Sequence, residues 1–173
     1  MKKTNFSILL FIALMSPALG HSQTAQRIND IASKALDDGN LVKENAVIKL
    51  YGVRTNGPDT KDGNWACAKV ASIVLRKAGV LHEILLAVRD VEESLGKWKK
   101  VDAERDLRPG DVIVWVNRFT GRKDKKCTGG GNCHVGIVTE KGYFHNSPIS
   151  NAPTFDGISL WAFEFKYGLR PPD

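Results

Sequence analysis

The chain has 173 residues, of which 42% are hydrophobic and 25% are charged, with 16 glycines and 7 prolines. This composition excludes a collagen-like, a coiled-coil and a wholly disordered chain. The length predicts a single compact domain, because roughly 100 to 150 residues is the commonest domain size. The formal net charge of +6 is a mild basic excess that also occurs in proteins without an anionic partner.

The first twenty residues have the pattern of a secretory signal peptide. Lys2 and Lys3 precede an apolar run over residues 6–15, and Ala18 and Gly20 place small residues at the two positions that determine cleavage. The apolar run is shorter than the roughly 20 residues that a membrane-spanning helix needs. The sequence therefore predicts cleavage at the end of this segment.

Cleavage after residues 1–20 would leave a mature domain over residues 21–173. It removes two lysines and no acid, so the formal charge falls from +6 to +4. The first cysteine is Cys67, which argues against a lipoprotein anchor. We therefore expect a secreted or periplasmic protein without a stable membrane anchor.

Apolar residues at helical spacing predict a first helix over about residues 25–37, with Thr24 as its cap and Gly39 as its stop. Residues 41–50 are less regular, and we interpret them as a second short helix. A loop rich in turn-forming residues follows over residues 52–64.

The next helix is predicted to carry Cys67 in its first turn. Apolar residues then recur every three or four positions up to Ala78, and Gly79 follows as a stop. A thiol at a helix N-terminus is more acidic than a free thiol, because unpaired N–H groups and the helix dipole stabilise the thiolate. The same N–H groups can receive the oxyanion of a tetrahedral intermediate. Cys67 is therefore the candidate nucleophile.

Residues 81–95 are predicted to form another helix, after which the periodicity becomes that of strands. The remaining predicted elements are a turn at residues 107–111, a strand at 112–116, a hairpin of 134–139 and 143–146, and a final strand between 158 and 165. Helices followed by an antiparallel sheet are typical of an α+β fold.

The three cysteines are predicted to form one disulfide, between Cys127 and Cys133. These two bracket a glycine-rich loop, which lets their Cα atoms approach within the roughly 4.4 to 6.8 Å that a disulfide requires. A metal site made of Cys127, Cys133 and His134 is the alternative, but its spacing matches neither common zinc pattern. An oxidising compartment also favours the disulfide. We therefore predict no metal and a free thiol at Cys67.

The predicted general base is His134, which begins a strand directly after Cys133. A disulfide at Cys133 would fix the backbone of this histidine, whereas His82 lies in a predicted helix and His21 at the mature N-terminus. A cysteine nucleophile needs such a base to accept its proton. This chemistry implies no cofactor.

Three segments, GNWACAKVASIVLRKAGV, LRPGDVIVW and CHVGIVTEKGYFHNS, resemble the NlpC-type and CHAP-type cell-wall hydrolases of the papain-like superfamily in order and interval. The resemblance covers most of residues 63–148. It implies a papain-like fold with N-terminal helices packed on a small antiparallel sheet, Cys67 as nucleophile and His134 as base. The sequence departs from the usual NlpC pattern at Ala66 and Ala68, where an Asp and a Ser are typical, which leaves the branch open.

The third catalytic residue, which would orient His134, has two candidates. The similarity of YFHNS to the family's usual FIHAS points to His145. A three-residue hairpin loop at residues 140–142 would instead place Asn146 on the face of His134 and His145 on the opposite face. A two-residue loop reverses this result. Both candidates remain open, with His145 ahead on the resemblance.

Together these features predict a secreted thiol hydrolase that cleaves an amide bond in peptidoglycan, either within the stem peptide or at the sugar–peptide junction. The expected partners are peptidoglycan or its stem peptides and no nucleic acid, while the existence of a protein inhibitor is left open. Two alternatives remain. One is the same chemistry on a substrate outside the cell wall, and the other is a non-enzymatic envelope-binding module on the same scaffold.

Overall fold

The computed structural model describes residues 22–61, 65–120, 127, 132–155 and 162–173. The described residues form an α+β fold of three α-helices and two antiparallel sheets, as the sequence predicts at this level. The helices are α1 (Gln23–Ser33), α2 (Cys67–Lys77) and α3 (Val88–Ser94). The strands are β1 (Leu41–Glu44), β2 (Val47–Leu50), β3 (Val53–Arg54), β4 (Lys99–Val101), β5 (Val112–Asn117), β6 (Cys133–Thr139), β7 (Gly142–Asn146), β8 (Pro153–Thr154) and β9 (Phe163–Arg170).

Helix α1 is capped by Ser22, whose hydroxyl accepts a hydrogen bond from the backbone N–H of Ala25 at 3.1 Å. Side-chain oxygens at this position satisfy N–H groups that the helix leaves unpaired. The cap is therefore two residues earlier than the predicted Thr24. The helix also ends at Ser33 rather than near residue 37, because the chain turns before Gly39, which has φ +81°.

The prediction of a short helix at residues 41–50 is wrong, because this segment is the β1–β2 hairpin. Leu41 pairs with Leu50 across the two strands. The turn residues Asn45 and Ala46 have φ values of 47° and 61°, the left-handed backbone of a tight two-residue hairpin turn. A turn with two positive φ angles cannot continue a right-handed helix.

The predicted helix at residues 81–95 is shorter than expected, since only Val88–Ser94 is helical. The side chain of Ser72 on α2 forms hydrogen bonds with the backbone of Leu85, in the segment before Val88. Its Oγ accepts from the backbone N–H of Leu85 at 3.0 Å and donates to the carbonyl of Leu85 at 3.1 Å. These two bonds occupy the groups that a helix would use internally, so residues 81–87 pack along α2 in a non-helical conformation.

The larger sheet has the strand order β4-β9-β5-β6-β7-β8 and separates two apolar clusters. Its helix-side face packs against α1, α2 and α3 through Val112, Val114, Val135 and Ile137. The opposite face carries Ile113, Trp115, Val138 and Phe163. The predicted final strand begins at Phe163, and its predicted part over residues 158–161 lies outside the described residues. Strand β4 was not predicted from the sequence.

Within the described residues, no helix is long and apolar enough to span a membrane. The predicted signal segment over residues 1–20 lies outside the described residues.

The turn before β5 contacts both helix α1 and the end of strand β9. Gly110 has φ +93°, and a Cβ at this position would lie 2.3 Å from the backbone oxygen of Ala25, so only glycine fits. The adjacent Asp111 is 1% exposed and accepts hydrogen bonds from Arg170 at 3.0 and 2.8 Å and from the Arg108 N–H at 2.9 Å. Asp111 therefore joins the start of β5 to the end of β9.

Replacing Asp111 with alanine should lower the free energy of unfolding by about 3 kcal/mol, because it leaves the Arg170 guanidinium without its buried carboxylate. Urea denaturation measures the change. Asp90→Ala is the control, since it removes a pair with Arg89 whose side chains are 41% and 51% exposed, and such pairs contribute about 1 kcal/mol or less. Equal losses in the two variants would contradict the anchoring role of Asp111.

Candidate active site

Cys67 is the first residue of α2, which confirms its predicted place in the first turn, and it is the free cysteine of the chain. The helix starts here because the carbonyl of Ala66 accepts its first bond, from the Val70 N–H at 2.8 Å. The N-terminal end of α2 lies against β6, where the backbone N–H of Val135 donates toward the Cys67 sulfur. Val135 directly follows His134, so the thiol lies beside the strand segment that carries the predicted base.

Burial raises the pKa of the Cys67 thiol, although the residue keeps some surface exposure. The N–H groups of Val135, Ala68 and Cys67 itself act in the opposite direction, since they stabilise the thiolate, but desolvation is the larger effect. The expectation of an acidic thiol at the helix N-terminus is therefore wrong for this protein in the absence of substrate. Burial therefore favours the neutral form of the Cys67 thiol.

The β6–β7 hairpin turns with a two-residue loop, because Thr139 pairs with Gly142 and Gly136 pairs with His145. The three-residue loop considered from the sequence is therefore wrong. His145 shares a face with His134, and the Nε2 atom of His134 lies 3.0 Å from the Nδ1 atom of His145. Asn146 is the next residue along β7 and faces the opposite side of the sheet, so it does not share the face of His134.

His134 and His145 are both buried, at 5% and 1% exposure. The ring of His134 packs between Trp115, at a centroid distance of 5.8 Å, and Phe163, at 5.3 Å. Desolvation, and then the charge on His145, lower the pKa of His134 from 6.5 to about 3. His134 is therefore an uncharged imidazole at neutral pH, which is the protonation state of a general base.

The structure contains the predicted disulfide between Cys127 and Cys133, with the Cα atoms 5.5 Å apart. Cys133 is the first residue of β6 and pairs with Val116 of β5. Cys127 is buried, and the ammonium group of Lys166 lies 3.4 Å from its sulfur. The disulfide therefore fixes the start of β6, directly before His134.

The sequence-based alternative of a metal site is not supported by the geometry. In the described ranges, no group of three or more His, Cys, Asp or Glu side chains is arranged to hold a metal ion. Cys127 and Cys133 are bonded to each other, and His134 is bonded to His145. His82, the other histidine of the described chain, is exposed outside the α-helices.

Sequence reasoning did not assign the surroundings of the histidine pair. Trp115 and Phe163 enclose His134, and Gly136 lies opposite His145. The first five residues of β5 are all buried, so the sequence does not show which face of the sheet carries Trp115, and that face follows from the pairing with β6. The resemblance supplies the pair itself and not the residues that enclose it.

The described geometry combines a partly exposed thiol at a helix N-terminus with two buried imidazoles that are hydrogen-bonded to each other, and the thiol reaches their strand through the backbone N–H of Val135. Comparison with known proteins found no match: no family model, no curated protein and no solved structure matches the chain. A cysteine and two histidines are the residue types that a thiol nucleophile, its base and an orienting residue require.

Iodoacetamide should alkylate Cys67 alone in the oxidised protein, and slowly at pH 7. Because burial raises the pKa of this thiol, the alkylation rate should still increase above about pH 8.5, where an ordinary thiol is half ionised. Peptide mapping gives the sites, and reduction before alkylation is the control that adds Cys127 and Cys133. A disulfide that includes Cys67, or a rate already maximal at pH 7, would contradict this description of the site.

Proposed function

We propose that this protein is a cysteine peptidase or amidase that hydrolyses an amide bond in peptidoglycan. The observation that carries the proposal is the 3.0 Å hydrogen bond between His134 of β6 and His145 of β7. The residue after His134 is Val135, whose backbone N–H donates toward the Cys67 thiol. The sequence resemblance assigns the same three side chains the roles of nucleophile, base and orienting residue. The hairpin geometry and the resemblance both support the proposal that Cys67, His134 and His145 are the catalytic residues.

In this proposal His145 sets the tautomer of the base. The Nε2 atom of His134 is engaged with His145, which leaves Nδ1 of His134 to accept the thiol proton. Nδ1 is unprotonated only when His134 Nε2–H donates to Nδ1 of His145. The hydrogen bond thus selects the reactive form of His134 and strengthens when His134 becomes an imidazolium.

The acylation step begins from a neutral thiol and a neutral imidazole. As the Cys67 sulfur bonds to the amide carbon, its proton moves to His134 and the carbonyl electron pair moves to the oxygen. The N–H groups at the start of α2 can stabilise this oxyanion. The intermediate then expels the amine, which takes the proton from His134, and a thioester remains on Cys67.

Deacylation reverses the proton transfers. His134 removes a proton from water as the water oxygen bonds to the thioester carbon, and the Cys67 sulfur leaves with that proton returned from His134. The products are a carboxylic acid, an amine and the regenerated thiol. One water is consumed for each amide bond.

The substrate assignment depends on the sequence. Residues 1–20 are predicted to direct export, and the resemblance is to enzymes that act on the cell wall. A papain-like arrangement is the finer fold assignment that we propose, because Cys67 is the first residue of α2 and His134 is the second residue of β6, in an antiparallel sheet that packs against that helix. The site of action in this proposal is the periplasm or the exterior of the cell.

Mass analysis of soluble muropeptides released from purified sacculi tests the proposal. We expect fragments that carry one new amine and one new carboxyl end, whose masses identify the cleaved bond. Sacculi incubated without protein provide the control. Binding to sacculi without any released fragment would reject the hydrolase and favour an envelope-binding module.

A further inference from the structure

The ring of Trp115 is in contact with both histidine rings of the candidate site. Trp115 pairs directly with His134 across β5 and β6, and its ring centroid is 5.8 Å from that of His134 and 6.2 Å from that of His145. Aromatic rings in contact have centroids about 4.5 to 7 Å apart. One fully buried indole therefore packs against both imidazoles of the hydrogen-bonded pair.

Gly136 provides the space for this arrangement. A Cβ at this position would lie 3.1 Å from Cζ3 of Trp115, 3.1 Å from Cβ of His145 and 2.8 Å from the backbone oxygen of Phe144. The backbone oxygen belongs to the paired strand β7, so it cannot move aside as a flexible side chain would. A methyl group at residue 136 would therefore separate β7 from β6 or displace the indole of Trp115.

Packing, rather than a hydrogen bond, holds the Trp115 ring in this position. Its Nε1–H is buried without a hydrogen-bond partner among the described residues. The edge of the ring meets Tyr143 at a centroid distance of 5.4 Å and an interplanar angle of 75°. The ring orientation therefore depends on its neighbours, including the open position at Gly136.

We propose that Trp115 is a positioning residue that holds His134 and His145 in hydrogen-bonding geometry, and that the missing side chain at Gly136 is what allows its ring to support both imidazoles. Trp115 acts through the histidines by fixing their ring planes and excluding water from beneath them. The effect on turnover rests on the proposed function. The effect on the hydrogen bond between the histidines does not, and it can be measured without substrate.

Two variants and one matched control test this inference. Gly136→Ala introduces the crowding methyl group, and Trp115→Phe keeps an aromatic ring but shortens its reach. Gly168→Ala is the control, because it places a methyl group in the neighbouring strand β9, where the nearest atom is Cδ2 of Leu107 at 2.3 Å. The control therefore adds a methyl group to the same sheet but not next to the histidine pair. The three variants are compared under conditions in which thermal unfolding shows equal folded fractions.

Nuclear magnetic resonance of ¹⁵N-labelled imidazole rings provides the substrate-free measurement. In the wild-type protein we expect a single tautomer of His134, protonated at Nε2, at neutral pH, and uptake of a second proton by His134 only near pH 3. In Gly136→Ala and Trp115→Phe, the titration of His134 should move to higher pH and the single tautomer should be lost. In Gly168→Ala both properties should match the wild type. If Gly136→Ala does not fold, the result for Trp115→Phe alone tests the positioning role.

Turnover of a soluble peptidoglycan fragment provides the second measurement. We expect kcat to fall about tenfold or more in both variants, with little change in KM, because the histidine pair serves the chemical step. Unchanged histidine titration and tautomer in both variants would overturn the positioning role, whatever happens to turnover. Altered histidines with wild-type turnover would support the positioning role and reject the catalytic role that the proposed function gives to the histidine pair.

Discussion

Replacing Cys67 with alanine should abolish hydrolysis, by about 10⁴-fold or more, and leave the fold intact. The loss is this large because the proposed acyl group forms on the Cys67 sulfur, which the substitution removes. The fold tolerates the change, since it removes one sulfur atom from a partly exposed position at the start of α2. Cys67→Ser should be inactive as well, because the hydroxyl is far less ionisable than the thiol.

The measurement is the rate of muropeptide release from sacculi, with thermal unfolding followed in parallel. Lys77→Ala provides a control on the same helix, because Lys77 is the last residue of α2 and its ammonium group lies over the ring of Tyr51 at 4.7 Å. This variant should keep wild-type activity. Full activity in both Cys67 variants would reject the thiol mechanism.

Replacing His145 with alanine should lower kcat by about 10² to 10⁴-fold, whereas Asn146→Ala should change it little once the folded fraction is taken into account. His145 lies 3.0 Å from Nε2 of His134, and Asn146 faces the opposite side of the sheet. The loss should be smaller than for Cys67→Ala, since an orienting residue forms no bond to the substrate.

The pH profile gives this prediction a second measurement. The charge on His145 contributes to lowering the pKa of His134 to about 3, so His145→Ala should raise that pKa. The acidic limb of kcat against pH should then move to higher pH, because His134 acts as a base only when it is neutral. His145→Asn is the matched variant, since its side-chain oxygen can accept the same hydrogen bond and should restore part of the rate.

Wild-type rates in both His145→Ala and Asn146→Ala would mean that the catalytic unit is a dyad. A loss confined to Asn146→Ala would contradict the hairpin register on which the assignment of His145 depends.

The features that the sequence predicts correctly have local causes. The start of α2 follows from the spacing of apolar residues after Cys67, and the disulfide follows from two cysteines on either side of a glycine-rich loop. The turn before β5 likewise has a local signal, the Pro-Gly-Asp segment at residues 109–111. Each of these depends on residues within about ten positions of one another, which is the range of turn and helix signals.

The features that the sequence does not predict depend on distant contacts. Ser72 bonds the chain at Leu85 and prevents the helix expected there. Burial against β6, which is more than sixty residues away in sequence, reverses the expected acidity of Cys67. The choice between His145 and Asn146 depends on a single residue of loop length, because a shift of one residue moves every side chain of a strand to the opposite face.

The central claim is that hydrolysis proceeds through an acyl group on Cys67, and digestion of sacculi in the presence of hydroxylamine tests it most directly. Hydroxylamine attacks a thioester carbon, releases the thiol and leaves a hydroxamic acid on the carbonyl side of the cleaved bond. Mass analysis should therefore find hydroxamic acid and carboxylic acid forms of the same fragment with wild-type protein, and neither form with Cys67→Ala. Cleavage that gives only the carboxylic acid, or the same fragments from Cys67→Ala, would contradict the acyl-enzyme mechanism.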